Sequence, residues 1–215
     1  IVVDDGSADD VAGVVASWTG RGLDVRLHHL RDGGEPRNNA CARNAGTRLA
    51  RHEVVLQTDP DIVFATDVLA AVRREHLPGT FCSVEGYFPL TAEATRQVAF
   101  APEGVADTPA PFLDAARQRP NQVTSPDGVP GLHGAFAIRR EDLERVGGYD
   151  ESFRHWGLED RELLVTLAHD LGMTRTYMPG VAVVHLWHVQ ARGDLGRASC
   201  AAAGVMAYRA WELQM

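Results

Sequence analysis

Two adjacent carboxylates, Glu159 and Asp160, follow a Trp156-Gly157 turn and stand at the head of a helix-like segment. Carboxylates held in this way serve as a positioned base, or clamp a polyhydroxylated ligand by accepting from its hydroxyls. The indole of Trp156 can stack on a sugar ring beside them, or pack into a core. Alone, the pair reads equally as an acidic first turn, which the helix dipole favours. The preceding run Gly147-Gly148-Tyr149-Asp150-Glu151-Ser152-Phe153 is too idiosyncratic for an ordinary surface loop.

Asp59-Pro60-Asp61 is the second constellation. Carboxylates at i and i+2 can point at one hard cation and leave positions open for phosphate oxygens. The same residues also suit a plain polar turn at a strand end. Asp4-Asp5 stands in the same kind of place, and in open α/β sheets that edge is where ligands bind. His185 closes a predicted strand, and His188 lies three residues on. An acidic pair plus an imidazole suits Mn2+, which accepts mixed oxygen and nitrogen donors. A packed, hydrogen-bonded histidine is the plainer alternative.

The elements that must carry these residues alternate. Residues 1–3 read as a strand, 9–18 as a helix with Val11, Val14, Val15 and Trp18 on one face, and 25–30 as a strand. A helix over 39–51 has Cys41, Ala45 and Leu49 as its inner face. A strand over 53–58, a helix over 67–76 and a strand over 81–87 complete a β/α half, which predicts a parallel, doubly wound sheet. Residues 88–131 lose the alternation, and from 101 they are proline-rich, as in a long loop over a site. Order returns with a strand over 132–138, helices over 141–146 and 160–171, and a strand over 174–184. Leu163, Leu164, Leu167 and Leu171 face inward on the longer helix.

Composition narrows the classes. The 215 residues are 45% hydrophobic, enough for a sizeable core, with a formal charge of −8. All 21 basic residues are Arg, and no basic block appears, which argues against nucleic-acid binding. Cys41, Cys82 and Cys200 show no CxxC spacing, so reduced thiols in a cytoplasmic protein are expected. No apolar run approaches the ~20 residues that span a bilayer, and membrane association is not indicated. The chain opens inside a strand pattern, which reads as a fragment truncated at its N-terminus.

Together these residues resemble an inverting glycosyltransferase of family 2 with the Rossmann-like GT-A fold. The resemblance rests on Ile1–Ser7, on Ala42-Arg43-Asn44-Ala45-Gly46, on Thr58-Asp59-Pro60-Asp61, and on a galactosyltransferase-type C-terminal module. That module is carried by Gly134-Ala135-Phe136, by the 147–153 run, by 156–160 and by His185. It implies one domain over 1–215: a nucleotide-binding half at 1–87, a variable loop at 88–131, an acceptor and catalytic half at 132–190, and a tail. Asp4 and Asp5 would then hold the uracil and ribose of a UDP-sugar, with Arg43 near the base or phosphates. Asp59 and Asp61 would bind the metal–diphosphate, Asp61 more directly, with His185 as a further ligand of Mn2+ or Mg2+. His188 would touch a phosphate. Asp160 would be the catalytic base, Glu159 its acceptor-orienting neighbour, and Trp156 a wall for the acceptor or donor sugar. The acceptor would be a glycan or another hydroxyl compound. Two other readings stay open: a sugar nucleotidyltransferase, and a non-catalytic sugar- or nucleotide-binding module.

Overall fold

The computed structural model describes residues 1–30, 38–99, 134–153 and 159–188. In chain order the elements begin with β1 (Val2–Asp4), α1 (Val11–Thr19), β2 (Leu27–His29), α2 (Asn39–Leu49) and β3 (Val54–Thr58). Next come β4 (Ile62–Phe64), α3 (Val68–Glu75), β5 (Thr80–Ser83), β6 (Phe88–Pro89) and α4 (Ala92–Ala99). The remainder are β7 (Ala135–Arg139), α5 (Arg140–Arg145), α6 (Glu159–Leu171), β8 (Thr174–Tyr177) and β9 (Val183–His185). The chain forms two compact units built from separated stretches. Among the described residues, one comprises 1–55 and 139–171, the other 56–138 and 172–188.

In the first unit, β1 and β2 pair in parallel, with Asp4 opposite His29. Local side-chain caps start the helices. Asp10 accepts from the Gly13 amide at 2.8 Å, and Asn38 from the Cys41 amide at 2.9 Å, each satisfying an amide the helix cannot. The apolar face expected on α1 is not buried: none of its residues is, and Val14 and Trp18 are exposed. The Arg21 guanidinium lies 4.8 Å from the Trp18 ring centroid. The inner face of α2 also differs from expectation. Ala40, Asn44, Ala45 and Thr47 are buried while Leu49 is exposed. The face turns because Asn44 is drawn inward by the backbone it binds. On α6, Leu163, Leu164 and Leu167 are buried at helical spacing, and Glu159, Asp160 and Glu162 occupy the first turn, where the dipole favours negative charge.

The second unit holds a four-stranded sheet of order β3-β7-β5-β8 and a three-stranded sheet of order β4-β9-β6. Phe81 and Phe136, both buried, meet edge to face at 6.2 Å in its core. A smaller cluster gathers Ala65, Leu90, Ala182 and Val184. The architecture is α/β as expected, with mixed pairing. β5–β8 and β6–β9 are parallel, whereas β5–β7 and β4–β9 are antiparallel. The strand predicted over 174–184 is two strands, β8 and β9, with Pro179-Gly180 between them. The three-residue strand β4, directly behind Asp59-Pro60-Asp61, has no counterpart in the predicted elements. Among the described residues no helix is long and apolar enough to cross a membrane.

Candidate functional site

The first unit builds its site around α2. Asn44 is buried, and its amide binds the backbone of the 147–153 run twice. Nδ2 donates to the Tyr149 carbonyl at 2.8 Å, and Oδ1 accepts from the Tyr149 amide at 2.8 Å. Nδ2 also donates to Glu151 Oε1 at 3.0 Å, and Asn38 Nδ2 donates to the Glu151 carbonyl at 2.9 Å. Cys41 Sγ donates to Glu151 Oε2 at 3.2 Å. The bonds to its carboxylate, from Asn44 first and then from Cys41, lower the Glu151 pKa. Gly148 must be glycine for this approach: its φ is +78°, and a Cβ there would lie 2.4 Å from Asn44 Oδ1.

One residue before Asn44, Arg43 faces α6. Its Nη1 donates to Glu159 Oε1 at 3.1 Å and to Asp160 Oδ1 at 3.0 Å. The Glu159 side chain is 5% exposed and that of Asp160 25%. The guanidinium also sits 5.3 Å from the Tyr149 ring centroid, an attraction to the negative face of the ring. Arg43, Glu159 and Asp160 are thus brought together as a cation shared by two carboxylates. Trp156 lies outside the described residues.

Asp4 ends β1 and Asp5 follows it, with separate partners. Asp4 is buried; its Oδ1 accepts from the Ser7 amide at 2.8 Å, and its Oδ2 lies 3.1 Å from His29 Nδ1. The Ser7 backbone bond is the main cause that lowers the Asp4 pKa, and His29 adds to it. Asp5 Oδ2 accepts from the Asn38 amide at 2.7 Å, at the N-terminus of α2. His29 and Asn38 escaped the sequence reading because their partners lie 25 and 33 residues away, where periodicity is silent.

The second unit gathers Asp61, His185 and His188. Asp61 Oδ2 lies 3.4 Å from His185 Nε2 and 3.1 Å from His188 Nε2. One donor atom from each of the three falls within 4.8 Å of the others. Backbone pairing sets this up: Ile62 is opposite His185, and the Leu186 amide donates to the Asp61 carbonyl at 2.8 Å. The Tyr87 ring lies 4.8 Å from that of His185, and burial followed by the Asp61 carboxylate pushes its phenol up. Asp61 Oδ1 is buried without a hydrogen-bond partner, a costly state unless something else satisfies it. One oxygen and two imidazole nitrogens, with an unsatisfied carboxylate oxygen, fit a divalent cation such as Mn2+. Asp59 is outside this trio. Its amide donates to the Gly134 carbonyl at 2.8 Å, and its Oδ2 would lie 3.2 Å from a Cβ at Gly134, whose φ is +74°. His188, expected at a phosphate, stands among the metal-capable donors.

Comparisons with known proteins bear on the family and the fold. A model described as glycosyl transferase family 2 matches residues 1–147, and one described as the N-terminal domain of galactosyltransferase matches residues 125–189. A validoxylamine A glucosyltransferase from Streptomyces hygroscopicus subsp. jinggangensis is 28% identical over 203 residues, covering 81% of this chain and 45% of that protein. The chain therefore spans less than half the length of this relative. A mannosyltransferase from Pyrobaculum calidifontis, solved with GDP-Man and Mn2+, superposes at a TM-score of 0.60 with 24% identity, over 100% of this chain and 55% of that one. Glucosyl-3-phosphoglycerate synthase from Mycobacterium tuberculosis, solved with Mn2+ and UDP-glucose, gives 0.54 with 18% identity, over 98% of this chain and 67% of that one. The fold is that of the GT-A glycosyltransferases, and the first of those models spans well over half of the residues, so the chain belongs to glycosyl transferase family 2.

Proposed function

We propose that the protein is a metal-dependent, inverting glycosyltransferase that moves a sugar from a nucleotide-sugar, UDP-linked in our reading, to a hydroxyl of a glycan or similar acceptor. The observation that carries this reading is the Asp61–His185–His188 trio with its unsatisfied, buried Asp61 Oδ1. The Mn2+ in the two solved structures that resemble this chain supports the same reading.

The roles follow from chemistry. A divalent cation held by Asp61, His185 and His188 would offset negative charge on the diphosphate leaving group. Asp160 takes the proton of the acceptor hydroxyl. The freed oxygen forms a bond to the anomeric carbon from the face opposite the diphosphate, and the carbon–oxygen bond to the diphosphate breaks. The nucleoside diphosphate leaves with that electron pair. Glu159 orients the acceptor side through the cation it shares with Asp160. Asp4 and Asp5 are assigned to the uracil and ribose, and Trp156 to a sugar face. Arg43 bonds both carboxylates of α6. Asp59 is assigned to the DPD loop that presents Asp61. We place the reaction in the cytoplasm, where thiols such as those of Cys41 and Cys82 stay reduced.

The test is Mn2+-dependent turnover of a panel of UDP- and GDP-sugars by the full protein. Hydrolysis or transfer that appears with Mn2+ and stops with chelator supports the reading. A protein that binds nucleotide but turns over no donor would instead be a binding module.

A further inference from the structure

We propose that Arg43 is a positioning residue for the acceptor-side carboxylates and takes no part in holding the nucleotide. This deepens the functional reading above and rests on Asp160 being the base. A single nitrogen of Arg43, Nη1, lies 3.1 Å from Glu159 Oε1 and 3.0 Å from Asp160 Oδ1. Two carboxylates on neighbouring residues repel, and a cation shared between them offsets that repulsion. With Arg43 17% exposed and Glu159 5%, solvent screens that pair weakly.

The clamp is built from three directions. Asn44 fixes α2 to the Tyr149 backbone through two 2.8 Å bonds, so the helix turn that carries Arg43 cannot slide. The Tyr149 ring, itself buried, supports the guanidinium from one face at 5.3 Å. The first turn of α6 supplies both carboxylates. Swinging Arg43 to a phosphate would break both charged bonds and leave the buried Glu159 without that cation, which is costly. Asp160 is the more exposed of the two carboxylates, at 25% against 5%, in keeping with its role as the base. Its bond to Nη1 holds Oδ1 at 3.0 Å and so fixes the carboxylate plane.

The experiment compares full-length wild type with Arg43→Gln and Arg43→Lys. The dissociation constant of UDP with Mn2+ is measured by calorimetry, and kcat and donor KM with the nucleotide-sugar that turns over. Arg43→Gln should keep UDP affinity within about twofold, and should lower kcat about 100-fold with donor KM unchanged, because a misaimed base costs rate and not binding. Arg43→Lys, which keeps the charge without the fork, should retain kcat to within about tenfold of wild type. Loss of UDP affinity by about tenfold or more with kcat preserved would overturn the proposal, since that is what a phosphate ligand does. Should Arg43→Gln not fold, Arg43→Lys decides alone: UDP affinity within about twofold of wild type supports the proposal, and loss of UDP affinity by about tenfold or more overturns it. Wild-type protein that binds no UDP in the presence of Mn2+ would contradict the functional reading itself, and the inference would fall with it.

Discussion

The side-chain amide of Asn44 closes a two-way hydrogen bond with the backbone of Tyr149, donating to its carbonyl and accepting from its amide, each at 2.8 Å. The pair are 105 residues apart in sequence. One amide group thereby joins the 42–46 motif to the 147–153 motif. Asn44→Ala leaves two buried backbone groups of Tyr149 without these partners. It should cost about 2–4 kcal/mol, from loss of the bonds and the desolvation left behind. Thermal denaturation should show a fall of about 5–10 °C. A melting temperature equal to wild type would mean the amide is not the clamp.

The approach of Asn44 to Gly148 makes a sharper test. Gly148→Ala forces both a positive φ on alanine and a Cβ 2.4 Å from Asn44 Oδ1. Gly147→Ala shares the positive φ but meets nothing within 4 Å. The first should destabilise by at least about 2 kcal/mol and the second by about 1 kcal/mol. Chemical denaturation midpoints compare the two directly, and equal losses would contradict the packing argument.

Glu162 gives a pH prediction. Burial, with repulsion from Asp150 and Asp170, raises its pKa from the ordinary 4.5, although Thr166 Oγ1 donates to it at 2.9 Å. A raised folded-state pKa means that the neutral acid favours folding. That contribution is complete below 4.5 and is lost as pH rises through the raised value. Glu162→Gln should therefore melt higher than wild type at pH 7, and the gap should close towards pH 4. A gap that widens on acidification would reverse the sign of the argument.

The metal trio separates the two aspartates of the Asp59-Pro60-Asp61 turn. Asp61 shares its 4.8 Å cluster with His185 and His188, and Asp59 does not. Removing a direct ligand should cost at least what losing an outer partner costs, so Asp61→Asn should weaken Mn2+ binding about 100-fold or more. Asp59→Asn should leave it within about tenfold. His188→Ala should resemble Asp61→Asn and not Asp59→Asn. Electron paramagnetic resonance titration of Mn2+ into the variants reads all three, and equal losses for the two aspartate variants would return Asp59 to the metal.

The legible part of this molecule was local. Carboxylates at strand ends and a helix starting at Glu159 follow from short-range pattern, since turn residues and the 3.6-residue period leave marks within a few positions. The α/β alternation followed from the same marks. The rest was set by long-range contact. The direction of β7, the turn of Asn44 into the core, and the pairing of Asp4 with His29 are fixed by partners far along the chain. The strand β4 is three residues long, too short for a period, and only its antiparallel partner β9 makes it a strand. Its absence from the predicted elements matters, because that pairing brings His185 to Asp61. The break between β8 and β9 was signalled by Pro179-Gly180, a turn dipeptide outweighed by the apolar residues around it.

Asp160→Asn removes the proposed base of the sugar transfer and tests that role most directly. The full protein, wild type and variant, is assayed with its nucleotide-sugar and acceptor in Mn2+, and UDP binding is measured alongside. Removal of a general base with its geometry kept should lower kcat by about 100- to 10,000-fold while UDP affinity stays at the wild-type value. Turnover near wild type in Asp160→Asn would contradict the account.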